Sequence, residues 1–313
     1  MYDTCSNKEE YINIIENLKK ENMKAYTSAI ITRSPNNQWH WKLRYMIKHK
    51  MFLMLLRHFR KKFRQILHYK KKKEKVEISN YFSKDRIAVY TVIINGYDNL
   101  LEPKFVADNC DYYLISDGVK PPENSVWKQR NIPDSIKEEL LNMNPTYVNR
   151  YLKMLPHLVF PDYDYSVYLD GNIQIITDPT EFINRLPKCG VSIHKHISRD
   201  CVYDEADAII LHKKAPEKPM KELVKFLKKE KMPRNYGMLE CGVLVRNHKN
   251  PQCIQIMEDW WKMFQRFPYR DQMLLPYVLY KLGIKPDEIS NLGDRLRTCP
   301  SFKLYDHSEY KRK

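Results

Sequence analysis

From residue 81 to the end, the chain predicts an α/β sandwich with a central, mostly parallel sheet, and residues 1–80 predict a separate basic helical region. Three observations point there. Short apolar runs suited to buried strands alternate with longer amphipathic stretches suited to helices. Several of those runs end in polar or glycine-bearing turns, as strands do at the ligand edge of an open α/β sheet. The surplus charge is confined to one end: residues 1–80 hold 19 Lys/Arg and 7 Asp/Glu, a net of +12, and the whole chain is +16, which leaves +4 for residues 81–313.

The N-terminal region reads as follows. Residues 8–30 predict an amphipathic helix with Tyr11, Ile14, Ile15 and Leu18 on one side, and Ser34-Pro35-Asn36-Asn37 breaks it. Residues 39–73 interleave Trp39, Trp41, Phe52, Leu55, Phe59 and Phe63 with Lys42, Arg44, Lys48, Arg57, Arg60 and Arg64, and close on Lys70 to Lys73. A basic helix with an apolar face suits an anionic membrane surface, where each cation contributes about 1 kcal/mol. Packing within the chain and self-association fit the same composition. Nucleic acid, which basic and aromatic residues also serve, ranks last because residues 81–313 lack a strong basic surplus. The longest unbroken apolar run in the basic region, Met51 to Leu56, is six residues, too short to span a bilayer. The polar, acidic start is unlike a secretory signal. Seven scattered cysteines without a C-x-x-C pair argue against a zinc site or disulfide framework and for a reducing compartment. The expectation is a cytoplasmic protein held peripherally at the inner face of the membrane.

The larger domain follows in order. The run IAVYTVII within residues 86–95 predicts the first strand, with Asn95-Gly96-Tyr97-Asp98 as the loop after it. Residues 112–116 predict a second, ending in Asp117-Gly118. A helix over residues 149–158 leads to a strand over 166–169, and a further strand covers 191–194. Helices are expected over 206–211 and 220–229, a strand over 241–246, and helices over 251–267 and 270–282.

The chemistry gathers at strand ends. Tyr168-Leu169-Asp170-Gly171-Asn172 stops an apolar run with a carboxylate, a glycine and a second oxygen-bearing side chain. Such a turn suits a hard divalent cation and, through it, a diphosphate; Gly171 lets an anion come close. Asp-Gly is also an ordinary turn pair. Asn95, Gly96, Tyr97 and Asp117 would meet a base and ribose, or serve only as turn and cap. Arg150 and Lys153 share a helix face, where they would neutralise a diphosphate or stay in water. His194 and Arg199 stand out in the polar cluster after the fourth strand, which reads as an acceptor or lid loop. Glu240 precedes the strand CGVLVR, in which Gly242 permits close backbone approach. That carboxylate would act as a base or stabilise an oxocarbenium-like transition state, or it is a strand-edge Glu in water. Asp271 either caps the helix it opens or holds a sugar. His307 could complete a metal shell begun by Asp170, or is merely exposed.

Four segments carry a resemblance: NRYLKMLPHLVFPDYDYSVYLDGNI (149–173), HKHISRDCVYDEA (194–206), YGMLECGVLVRNH (236–248) and RDQ (270–272). Together they resemble a GT-A-type glycosyltransferase-like family, formerly a domain of unknown function, that includes bacterial capsule or lipopolysaccharide enzymes and the plant mucilage-related galacturonosyltransferase type. The resemblance spans roughly residues 86–310 and leaves residues 1–80 outside. It implies a GT-A-like Rossmann-type sandwich, a nucleotide-sugar donor (a UDP-sugar above all), a saccharide or lipid-linked acceptor, and retaining transfer in surface polysaccharide synthesis. Asp170 is similar in place to the first Asp of a D-x-D motif. Asn172 departs from its second Asp, and a neutral amide is a poorer ligand than a carboxylate. The resemblance implies Mn²⁺ or Mg²⁺ held by Asp170, Asn172 and His307, with Glu240 and Asp271 at sugar and acceptor. A membrane-associated scaffold with a degenerate domain is the alternative. A hydrolase using Glu240 and Asp170 ranks third, since no second carboxylate stands at a known spacing.

Overall fold

A computed structural model describes residues 5–32, 82–196, 199–293 and 295–305. The chain divides into two units, Met1–Ile78 and Ser79–Lys313. Of the first, helix α1 (Cys5–Thr32) is described. Ile15 and Lys19, four residues apart, are buried, whereas Ile14 is 45% exposed, so the covered stripe is narrower than the expected one. The basic stretch at 39–73 and His307 lie outside the described residues. No described helix is long and apolar enough to cross a membrane.

The second unit is built on a six-stranded sheet. Its strands are β1 (Ile87–Ile93), β2 (Cys110–Ser116), β3 (Trp127–Gln129), β4 (Tyr165–Leu169), β6 (Val191–Lys195) and β7 (Leu239–Asn247). They lie in the order β3-β2-β1-β4-β7-β6. β1 pairs parallel with β2 and with β4, and β2 parallel with β3. β7 runs antiparallel to both neighbours. This is the central, mostly parallel sheet of the expected sandwich. β5 (Ile173–Ile175) and β8 (Phe302–Leu304) form a separate antiparallel pair.

Both faces of the sheet are dry. Along β1, Ala88, Tyr90 and Val92 enter one apolar cluster with Leu152 and Trp260, while Ile87 and Val89 enter another with Val167, Val243 and Phe302. That two-sided burial explains why β1 reads as a continuous apolar run rather than an alternation. β7 changes face by a bulge: Ile193 pairs with Leu244 but His194 with Glu240. Gly242 sits in the intervening stretch, and a Cβ there would lie 2.8 Å from Ile173 and 3.0 Å from Leu296.

The helices are α2 (Asp134–Leu141), α3 (Pro145–Met154), the single turn α4 (Pro156–Val159), α5 (Val202–Leu211), α6 (Glu217–Lys229), α7 (Pro251–Arg266) and α8 (Leu275–Lys281). The expected helix over 149–158 is corrected at both ends. It begins earlier because Asn144 accepts the Tyr147 N–H and Pro145 occupies the first turn. It breaks at Leu155 because Pro156 offers no N–H and disfavours helical geometry before it. The expected helix over 270–282 is instead a 3₁₀ turn, Asp271–Met273, followed by α8. β3, α2, β5 and β8 were not anticipated; the three strands among them have three residues each, too few to show a period.

Candidate active site

β4 ends at Leu169, and Asp170 begins a tight turn. The Asp170 N–H donates to the Gly242 carbonyl at 2.8 Å, and the Ile173 N–H returns to the Asp170 carbonyl at 2.9 Å. A Cβ on Gly171 would lie 2.7 Å from the Cβ of Asp98, so the loop after β1 closes directly on this turn and only glycine fits. In that loop the Asn95 N–H donates to both Asp117 carboxylate oxygens, at 2.8 and 3.0 Å. Asn95 and Gly96 both adopt left-handed backbone, φ 57°. Tyr97 beside them is 64% exposed. Asn95, Gly96, Tyr97, Asp117, Asp170 and Gly171 therefore share one edge of the sheet, joined through Asp98.

α3 delivers two cations to the same tip. The Lys153 side chain, 2% exposed, lies with Nζ 3.1 Å from Asp170 Oδ1 and 3.1 Å from Asp271 Oδ2. Arg150 Nε is 3.1 Å from Asp271 Oδ2. The Tyr168 hydroxyl donates to Asp170 Oδ1 at 2.8 Å. The Asp170 side chain remains 37% exposed, so the tip is open to solvent. Burial pushes the Asp271 carboxyl up, but the charges of Arg150, Lys153 and Arg270 outweigh it and hold the group well below the usual carboxylate range. Burial disfavours the Lys153 charge, yet Asp170 and Asp271 raise its pKa above the ordinary lysine value. Asn149 fixes the helix to the sheet by donating to the Val92 carbonyl at 3.0 Å, and it accepts from Arg150.

The other sequence-derived candidates are placed differently. Asn172 donates its side-chain amide to the Tyr305 carbonyl at 2.8 Å, and its own carbonyl accepts the Tyr305 N–H at 3.0 Å, tying down the segment that carries β8. His194 is completely buried beside Phe302, and burial lowers its pKa to about 3. Arg199 is paired with Glu205. Glu240 accepts the Leu296 N–H at 2.9 Å; burial raises its pKa, against the opposing charges of Arg295, Arg297 and Arg199. Asp271, expected at the sugar or as a helix cap, is the partner of Arg150 and Lys153, and its carbonyl accepts from Trp260 at 2.9 Å. Sequence reasoning named Asp98 only as the end of the loop after the first strand and gave Tyr168 no role of its own. Tyr168 lies on β4 two residues before Asp170, close enough for its hydroxyl to reach the carboxylate just past the strand end.

The class this defines is an α/β protein with an open, charged strand tip at the ligand edge of its sheet. Comparison with known proteins names the family. The profile of the TOD1/MUCI70 glycosyltransferase-like domain matches residues 126–299, more than half of the chain, and the chain belongs to that family. A relative from Arabidopsis thaliana, the probable hexosyltransferase MUCI70, is 23% identical over 223 residues, 64% of this chain and 38% of that protein. The chain thus spans well under half of that relative's length. Among solved structures, similarity extends to the WbbM bifunctional glycosyltransferase (13% identity, 70% of this chain and 40% of that one, TM-score 0.43). It also extends to the galactosyltransferase LgtC (11%, 70% and 86%, 0.39) and to mouse xyloside xylosyltransferase 1 (11%, 65% and 83%, 0.38).

Proposed function

We propose that this chain is a glycosyltransferase that moves a hexosyl group from a nucleoside diphosphate sugar, most simply a UDP-sugar, to a saccharide or lipid-linked acceptor. One observation carries the reading: an open carboxylate, Asp170, stands at a strand tip against a buried, charged Lys153. Family membership supports it. In this reading Asn95, Gly96, Tyr97 and Asp117 receive the nucleoside, and Asp170 orients the ribose or the donor sugar. Arg150 and Lys153 stabilise negative charge as the diphosphate leaves. The acceptor hydroxyl attacks the anomeric carbon. Glu240 is assigned to the sugar and acceptor side, where burial makes its carboxyl a stronger base than an exposed one. Asp271 holds the two cations in place. Retention of configuration and a role in surface polysaccharide synthesis rest on the sequence resemblance. Peripheral attachment to the inner membrane face rests on the composition of residues 39–73.

The test is nucleoside diphosphate release from a panel of sugar donors by the parent chain and by Asp170→Ala. We expect the variant to lose transfer by about 100-fold or more while melting within a few degrees of the parent. Unchanged turnover removes Asp170 from the reaction. Donor binding without turnover in the parent would favour the scaffold alternative.

A further inference from the structure

The family resemblance implies a divalent cation at Asp170, and the side chains described there do not suit one. Mg²⁺ and Mn²⁺ sites draw on several oxygen or imidazole ligands, with carboxylates leading. Among the described residues no group of three or more His, Cys, Asp or Glu is placed to hold a metal. Asp170 is the turn's own carboxylate, and its Oδ1 already takes the Tyr168 hydroxyl at 2.8 Å and the Lys153 ammonium at 3.1 Å. Asn172, which stands where the second ligand would, offers a neutral amide oxygen in place of a carboxylate, a weaker ligand, and its NH2 is tied to the Tyr305 carbonyl at 2.8 Å. Asp271 is engaged by Arg150 and Lys153. A dication on the remaining Asp170 oxygen would share that carboxylate with an ammonium held 3.1 Å from its other oxygen, so the two like charges would compete for one carboxylate.

We infer that Lys153, with Arg150 on the same Asp271 carboxylate, takes the place of the metal, so that this site binds the diphosphate of its donor without a divalent ion. The inference rests on the transferase reading and deepens it. The ammonium is fixed rather than free: Arg246 grips the Lys153 carbonyl at 2.5 Å, and the side chain is 2% exposed. Its Nζ lies 3.1 Å from both Asp170 Oδ1 and Asp271 Oδ2. The balance around it is also not closed. Arg150 and Lys153 share the Asp271 carboxylate, Lys153 also meets Asp170, and Arg270 precedes Asp271 in the chain. The Arg270 Nε is buried with no hydrogen-bond partner among the described residues. A buried donor without an acceptor is costly, and a phosphate oxygen is an acceptor of the right charge.

Calorimetric titration of the full chain with uridine diphosphate, and in parallel guanosine diphosphate, tests this in excess EDTA and again in millimolar Mn²⁺. We expect dissociation constants that agree within about threefold between the two buffers. Lys153→Met should weaken binding in EDTA by about tenfold or more, and Lys153→Arg by less. Should Lys153→Met fail to fold, the comparison of buffers on the parent chain still decides the matter. Binding that appears only with Mn²⁺, or tightens more than tenfold with it, overturns the inference and leaves the transferase reading standing. Loss of that Mn²⁺ effect in His307→Ala would then assign the late histidine to a metal shell. No binding in either buffer, together with no nucleoside diphosphate release from the donor panel, overturns both.

Discussion

Two buried cations meet at the last turn of α3, Lys153 within it and Arg246 against its carbonyls, and they are balanced in opposite ways. Lys153 reaches the open strand tip and is matched by the carboxylates of Asp170 and Asp271. Arg246, on β7, is sealed at 0% exposure and is matched by no carboxylate among the described residues. It donates instead to the Lys153 carbonyl at 2.5 Å and the Tyr90 hydroxyl at 2.7 Å, and Tyr90 in turn donates to the Leu152 carbonyl at 3.0 Å. Those carbonyls are the unpaired acceptors of a helix end that Pro156 has cut short, and a positive charge there also meets the negative end of the helix dipole. The contrast separates scaffold from site. A cation satisfied by backbone carbonyls in a closed layer holds shape. One shared between two carboxylates at an open tip can exchange partners when a ligand brings its own negative charge.

Breaking each side should give different signatures. The largest stability effect is expected from Arg246→Met, about 3 kcal/mol in chemical denaturation, because carbonyl and hydroxyl acceptors lose a charged donor. The folded remainder should still be stabilised by uridine diphosphate. Lys153→Met should lose that ligand-induced rise in melting temperature whatever its own stability. Equal loss of the ligand response in both variants would erase the distinction between them.

The second effect depends on pH. Burial holds His194 and His248 neutral in the fold, each with a pKa of about 3, below the ordinary value near 6.5. A depressed folded value means that the stability is complete above pH 6.5 and is lost as pH falls toward 3, by roughly 1.4 kcal/mol per pH unit for each histidine. His194→Leu should remove one such slope between pH 6.5 and 4.5, read from denaturation midpoints. An unchanged slope would mean that His194 is not sealed as the structure shows. The smallest effect is expected at the tip itself. Tyr168→Phe deletes one hydrogen bond to Asp170 and should cost about 1 kcal/mol of stability.

Much of this molecule is legible without coordinates. β1, β2, β4, β6 and β7 all lie where apolar runs place them, most plainly β1, which is buried at every position and so must be apolar nearly throughout. The Asp170 turn, and Arg150 with Lys153 three residues apart on one helix, are equally local features. The short strands β3, β5 and β8 are not legible, since three residues cannot display a pattern and are ordered only by their neighbours. The same holds for partners far apart in the chain. Nothing near Asn172 indicates Tyr305, and nothing near His194 indicates Phe302.

By itself, the sequence determined the fold class, the strand tip at Asp170, and the two cations that share a face of the helix before it, because each depends on residues within one or two turns or strands. Tertiary structure alone decided that Asp271 holds Lys153 and Arg150 in place, that Asn172 fastens the C-terminal strand, and that His194 is core. Those roles follow from charge balance and burial between segments that only folding brings together.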